Sequence, residues 1–388
     1  MSVAGGEVSG RLLSQALGAL FSVSFLAGAA MGLFNPLISM LMAQHQVSDL
    51  LIGANSTLFF LFVMAAAPFA AYLLRRVGAG QAMAGGMLLT SAAAALIPFY
   101  DDLVAWFLFR AAMGFGVGLY MISGQTALNQ LVDESRRTLM NGIHALAFGL
   151  GLGVGPLVGA ALYGVSPVLA FGVGAGLMLL GLPGVLAFLP LLRSVPSRVQ
   201  SSLLRTLSLP LHGVFSYSVA EATLMTLYPV FLLHQGYSVG QIGLAFSVFV
   251  AGSILSTLPL THLADRLGCE RVLLGCALVG VVSTAALVLA KQIVVVTVLS
   301  FVAGASLGPV FAVSLALLAQ LLSRDQLAAG TALFTTVFSL GSMIAPMSAA
   351  LIMQYLGNEH IFSLALVLFS LLLLRLVGQS RVWGINPS

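Results

Sequence analysis

The chain has 388 residues, of which 60% are hydrophobic and only 7% charged, with a formal net charge of +4. A water-exposed globular surface needs about 25% charged residues, so this balance excludes a soluble domain. The small basic excess does not point to a nucleic-acid partner either, because its placement along the chain reads as membrane topology.

About 20 mostly apolar residues in a row cross a bilayer as a helix. Only helices and closed barrels satisfy their own backbone in lipid, and barrel strands alternate apolar with polar over ~10 residues. The apolar runs here are continuous and longer, which predicts helices. Twelve spans are expected, at 12–43, 48–74, 80–99, 102–131, 138–164, 167–190, 205–234, 239–264, 270–290, 293–322, 326–355 and 358–377. The first ten residues are small and polar, and the run that follows is too long for a signal-peptide core, so it is expected to remain as span 1. The 42 glycines suit close helix packing in a membrane.

Span 1 carries Asn35 beside Pro36, and span 2 carries Asn55 and Ser56. The loop after span 2 reads Arg75-Arg76-Val77-Gly78. Span 4 holds Arg110 with Gly114, Gly116 and Gly118, and further along Gln125 and Asn129. An arginine in an apolar helix needs a partner or a wet cavity; the alternative is that it snorkels to the near interface. Span 5 holds Gly142, His144, Gly151, Gly155, Pro156 and Gly159. Three of these glycines share one flat face, and Pro156 bends the helix. His144 is either a proton relay or a satisfied structural group.

Residues 191–204 carry Arg193, Pro196 and Arg198 and read as a linker. Span 7 then places Glu221 near mid-membrane between two alanines, with Tyr217 and Tyr228 at helical spacing on roughly the same side. A carboxylate at that depth is costly to keep charged, which makes it a candidate proton carrier or a binder of a cationic group. The alternative is a protonated glutamate bonded to a neighbouring helix. His212 starts the same span, whereas His45, His234, His262 and His360 fall near loops. Cys269 and Cys276 lie near one helix start and are expected to be free thiols.

Arg11, Arg75, Arg76, Arg136, Arg137, Arg193, Arg198, Arg205, Arg266, Arg271, Arg324, Arg375 and Arg381 fall on one side of the predicted spans, and Lys291 on the other. The positive-inside rule puts the first side, with both termini, in the cytoplasm. An even number of spans requires the same result.

An internal repeat divides the chain. At an offset of 190 residues Arg76-Val77-Gly78 matches Arg266-Leu267-Gly268, and Ile52-Gly53 matches Ile242-Gly243. Gly114 and Gly118 match Gly304 and Gly308, Gly151 matches Gly341, and Pro156 matches Pro346. Two parallel repeats place a substrate site at their interface near mid-membrane.

With these features the chain resembles the major facilitator superfamily over essentially its whole length, in the branch of twelve-helix proton-coupled antiporters and exporters. The resemblance implies an all-α membrane protein of two pseudo-symmetric six-helix bundles, 1–190 and 205–388, joined by 191–204. Leu263-Ala264-Asp265-Arg266-Leu267-Gly268 fits the family's Asp-Arg-x-Gly loop, which implies a cytoplasmic gate using Asp265, Arg266, Arg76, Gly78 and Gly268. The first copy departs from it, with Arg75 where the family has aspartate, and reads more simply as a topology anchor. Arg110-x-x-x-Gly114-x-Gly116 looks like the helix-4 motif tied to proton transfer. Gly142, Gly151, Gly155-Pro156 and Gly159 look like the antiporter motif; the alternative is a generic small-residue seam.

The expected function is secondary transport of a small organic solute by alternating access, coupled to protons and directed outward. Glu221, Arg110 and His144 are the expected coupling residues. Asn35, Gln125, Asn129, Tyr217, Glu221 and Tyr228 are the expected cavity residues. Glu221 and the tyrosines would suit an amphipathic or cationic molecule. An uptake symporter or uniporter is the alternative, and a non-transporting sensor ranks below it. No nucleotide loop, metal spacing or nucleophile constellation is evident, so no enzyme activity or cofactor is expected. The chain is expected to work as a monomer in the inner membrane, with solute, protons and lipid as its partners.

Overall fold

Turn chemistry sets the helix ends. Asp102 accepts from the Ala105 amide at 2.8 Å to open one helix, and Ser238 with Gln241 forms a reciprocal capping box at another. The computed structural model describes residues 10–189 and 204–382, almost all of them helical, with no strand among them. The helices are α1 Gly10–Gln44, α2 Asp49–Arg76, α3 Ala79–Leu96, α4 Leu103–Leu131, α5 Glu134–Tyr163, α6 Pro167–Leu180 and α7 Leu182–Phe188. Then follow α8 Ser208–Thr226, α9 Tyr228–His234, α10 Val239–Leu267, α11 Cys269–Leu289, α12 Ile293–Leu321, α13 Arg324–Leu356 and α14 Ser363–Val382. The linker up to residue 203, with Arg193 and Arg198, lies outside the described residues, as do the side chains of Arg11, Arg137, Arg324 and Arg381.

Among the described residues, eleven spans are long and apolar enough to cross a membrane. The predicted seventh span is the one that falls short, and it is broken into α8 and α9 at Leu227. Pro229 has no amide hydrogen to continue the ladder. Polar side chains lower the apolarity of α8, but several are satisfied locally: the hydroxyls of Ser216, Thr223 and Thr226 donate to the carbonyls of His212, Val219 and Ala222 at 2.6–2.9 Å. The predicted sixth span is likewise split, into α6 and α7 at Gly181.

The spans alternate in direction, so both described chain ends share one end of the bundle, here the base; the opposite end is the top. In the first half α1 packs on α5 and α6, and α4 on α2 and α3. In the second half α10 packs on α12, α11 on α12 and α8 on α13. Glycines set these approaches. A Cβ at Gly114 would meet the carbonyl of Phe59 on α2, and one at Gly304 would meet the carbonyl of Phe249 on α10. The repeated glycines therefore build the same seam twice.

The halves meet through α2 with α13 and α5 with α10. Near the top, a Cβ on Gly53 would lie 2.6 Å from Ala350 Cβ and 2.7 Å from the Pro346 carbonyl oxygen. A Cβ on Gly243 would lie 2.7 Å from both Ala160 Cβ and the Pro156 carbonyl oxygen. Each residue of one crossing has its counterpart 190 positions away in the other. The Met347 amide donates to Thr57 Oγ1 at 3.1 Å across the first crossing. His234 Nδ1 on α9 lies 3.8 Å from Asp49 of α2 at the top. Toward the base the picture changes: Gly142, Ile143, Ala145 and Leu146 of α5 are all exposed, as are Thr331, Thr335 and Thr336 of α13. The closest approaches between the halves thus lie toward the top, while these base-end segments of α5 and α13 carry exposed residues.

Gly78 and Gly268 occupy matching turns at the base with φ of 86° and 93°, a region costly for any residue with a Cβ. Gly268→Ala is expected to lower the midpoint of thermal unfolding in detergent, by a cost of about 1 kcal/mol. Gly275→Ala, in an open position inside α11, should raise it slightly. Equal midpoints would show that the turn geometry does not demand glycine.

Candidate functional site

α8 is buried on most of its surface, but Tyr217, Glu221 and Met225, spaced four apart, keep partial exposure. They form a stripe in a helix otherwise enclosed by α12, α13, α14 and α1. Tyr217 donates its hydroxyl hydrogen to Glu221 Oε1 at 2.8 Å. The Tyr217 ring lies 5.8 Å from Phe311 of α12 and 6.2 Å, nearly parallel, from Phe338 of α13. Phe311 meets Phe338 and Phe334 edge-on at 5.6 and 5.3 Å. The carboxylate thus sits at the edge of an aromatic cluster drawn from three helices.

Tyr228 does not join this group. The break at Leu227 turns it into the wall, where it is 1% exposed. Its hydroxyl pairs with Ser300 at 3.2 Å and its ring stacks on Phe231. Spacing along an unbroken helix predicts Tyr228 beside Glu221, and the break at Leu227, just before Pro229, removes that alignment.

Arg110 is fully buried between α1, α2 and α4. One guanidinium nitrogen donates to Asn35 Oδ1 at 2.9 Å, and the cation lies 4.3 Å from the centre of the Phe59 ring. Its Nε and the other terminal nitrogen have no hydrogen-bond partner. The spans thus bring together two of the predicted residues, Asn35 and Arg110, 75 positions apart. Asn55 nearby donates to the Trp106 carbonyl at 3.3 Å.

Gln125 and Asn129 are also brought together, through Asn141 of α5. The Gln125 amide donates to Asn141 Oδ1, and Asn141 donates to Asn129 Oδ1 at 2.9 Å. This neutral amide chain lies on the first half near the base. His144 is one turn above Asn141, with its Nε2 3.1 Å from Ser24 Oγ on α1. His212 Nε2 bonds the Leu368 carbonyl at 3.2 Å.

Gly151 and Gly155 are pressed on the Phe25 and Ala29 carbonyls of α1, and Gly159 on the Leu33 side chain. Gly142 faces open space. The glycines of this run therefore serve the α1 seam, while the Pro156 carbonyl serves the crossing to α10. At the base, Arg76, Asp265 and Arg266 are exposed. The ion pairs found among the described residues both involve histidines, His45 with Asp101 at 3.1 Å and His234 with Asp49; Asp265 is in neither. Arg76 instead packs on the Tyr72 ring.

Nothing in the sequence sets Phe311 and Phe338 apart from the rest of its 24 phenylalanines. Asn141, an amide beside Gly142 in an apolar span, is legible in the sequence as a polar group that needs a partner.

Comparison with known proteins agrees with this architecture. The profile of the Major Facilitator Superfamily matches residues 20–212 and again 211–386. The chain is 28% identical over 371 residues to an uncharacterized MFS-type transporter, YfkF, of Bacillus subtilis (strain 168), covering 92% of this chain and 94% of the relative. It is 25% identical over 363 residues to the uncharacterized MFS-type transporter YcaD of Salmonella typhi, covering 90% and 93%. In fold it is similar to the nucleoside transporter NupG (TM-score 0.72, 14% identity, 95% and 98% covered). It is also similar to an inward-facing bacterial homolog of the human lysosomal transporter Spinster (TM-score 0.70, 15% identity, 95% and 94% covered).

Proposed function

The chain belongs to the Major Facilitator Superfamily, and we propose that it moves a small organic solute outward across a bacterial inner membrane in exchange for protons. It is a multi-pass membrane protein. In our reading 1–190 and 205–388 are its two rocking bundles, joined by 191–204, and a single chain is the working unit. The base faces the cytoplasm, because Arg76, Arg266, Arg271 and Arg375 gather there while Asp101 and Lys291 are at the top.

The observation that carries the reading is the Tyr217–Glu221 pair on the partly exposed stripe of α8. A lone carboxylate inside a membrane must be neutralised by a proton or a positively charged ligand. With the base open, Glu221 releases its proton inward and solute takes its place. The halves then rock about the Gly53–Pro346 and Gly243–Pro156 crossings. Outside, a proton displaces the solute and returns the carrier. Asp265, with Arg266 and Arg76 beside the Gly78 and Gly268 turns, latches the base when it closes; their exposed, unbridged state fits an open base. Within the run Gly142, Gly151, Gly155, Pro156 and Gly159, it is Gly151, Gly155 and Gly159 that hold α5 against α1 so that it moves as one body. Arg110 with Asn35 acts as a fixed positive charge that the coupling works against, and His144 with Ser24 passes the proton toward the base. Gln125 and Asn129 line the cavity on the first half, nearer the base than Glu221.

The test is solute-dependent proton movement in proteoliposomes. Wild type is expected to accumulate solute against its gradient when a pH difference is imposed, and Glu221→Gln is expected to lose accumulation at least tenfold. Undiminished accumulation by Glu221→Gln, with the same pH response, would overturn the assignment. Solute and proton moving in the same direction would select an uptake symporter.

A further inference from the structure

We propose that the second half holds an anionic phospholipid on its outer face, with an acyl chain in the groove between α10, α11 and α12 and its phosphate against Arg271.

The groove is a cavity of about 340 Å³. Val272, Cys276 and Ser306 are its buried floor, and Leu263, Val279 and Phe301 its exposed rim. It lies away from the first half. Ile254 of α10 faces Gly149 of α5, and Leu263 stands about two and a half turns further along α10, on the opposite side of that helix. The other wall, α11, packs on α10, α12 and α14, all of its own half.

An apolar cavity holds no water, and left empty it forfeits the dispersion contacts of its walls. In a membrane the group at hand to fill it is an acyl chain. From Arg271 to Val279 the groove follows α11 for about 12 Å, close to the ~15 Å of hydrocarbon in one leaflet. Arg271 is the one charged residue lining it. It is exposed at the base end of α11 and takes part in none of the ion pairs found among the described residues. Asp265, Arg266 and Glu270, nearby in the chain, do not line the groove. A lone arginine at the end of an apolar slot fits a phosphodiester whose chain runs along the slot.

The first half lacks both parts. At the offset of 190, Arg271 answers to Gln81 and Ala305 to Phe115. Phe115 packs in one cluster with Ala70 and Leu73, the counterparts of Leu260 and Leu263, and meets Phe69 edge-on at 5.2 Å. An aromatic ring thus fills in the first half what Ala305 leaves open in the second, and the cation stands only beside the open slot. Which leaflet supplies the lipid follows from the orientation given above; the groove and its cation do not depend on it.

The full-length protein in detergent, titrated with phosphatidylglycerol or phosphatidylcholine of the same chains and read by native mass spectrometry, tests this. Phosphatidylglycerol is expected to bind more tightly. Arg271→Gln, which copies Gln81, is expected to weaken it about fivefold and to leave phosphatidylcholine unchanged. Gly275→Leu puts its side chain into open space in the groove and is expected to weaken both lipids about tenfold. Phosphatidylglycerol with a diazirine in its acyl chain is expected to cross-link to α11 and α12 at the groove. Equal phosphatidylglycerol affinity in wild type and Arg271→Gln would overturn the head-group assignment. Cross-links confined to other faces of the protein would overturn the site. Displacement of the lipid by glycerol 1-phosphate at matching concentration would place a soluble anion at Arg271 and overturn the lipid.

Discussion

Leucine at Gly53 or Gly243 is expected to abolish exchange while leaving the protein folded and inserted. Both glycines lie where the halves touch at the top, and even a methyl group there would stand 2.6–2.7 Å from the opposing helix. Over-packing of this kind costs about 1–3 kcal/mol, a bias that shifts a two-state balance by a factor of about 5 to 150. That cost falls only on the state closed at the top, because opening separates the surfaces. The variants should therefore hold the top apart. Spin labels at Val165→Cys and Lys291→Cys, in top loops of opposite halves, would report the longer distance. Gly18→Leu, at an open position on α1, is the control and should exchange as wild type does. An unchanged label distance with full exchange in Gly243→Leu would show that the crossing is not the closing surface. The two variants should act alike, since each crossing is the other's copy 190 residues on.

That symmetry also explains what could be read from the sequence. Spans, loops and halves follow from apolar length and from glycines repeated at one offset, both local properties of the chain. Gly114 with Gly304 and Gly53 with Gly243 are legible because close packing leaves no substitute for a missing side chain. The broken span at Leu227 was less so: Pro229 was visible, but whether a proline kinks or ends a helix depends on what packs around it. Spacing alone therefore sets Tyr228 beside Glu221, whereas the break turns it into the wall. Aromatic clusters are harder still. Phe311 and Phe338 are ordinary apolar residues in a chain that is 60% hydrophobic, and only tertiary contact shows that they surround Tyr217. Buried polar groups fall between these cases. Arg110 and Glu221 stood out because ionisable groups in lipid are costly, yet their partners, Asn35 on another span and Tyr217 one turn back, were of different kinds and only the second was local.

The Arg110–Asn35 contact leads to the other large effect. A fully buried guanidinium with one neutral partner, one ring face and two unpartnered nitrogens is held at a cost. Asn35→Leu removes its one hydrogen bond and is expected to destabilise the protein by about 3 kcal/mol, read as a lowered thermal midpoint in detergent. Asn35→Asp does the opposite: it places a carboxylate where Oδ1 now accepts at 2.9 Å, neutralises the cation, and is expected to hold or raise the midpoint. The two substitutions separate a structural arginine from one that serves coupling. If the unneutralised charge of Arg110 sets the balance against which Glu221 loads and unloads its proton, Asn35→Asp should cut proton-driven accumulation at least tenfold despite the firmer fold, and should leave downhill solute flux far less affected. A stable Asn35→Asp protein with wild-type accumulation would assign Arg110 to structure alone, because no part of the cycle would then depend on its bare charge.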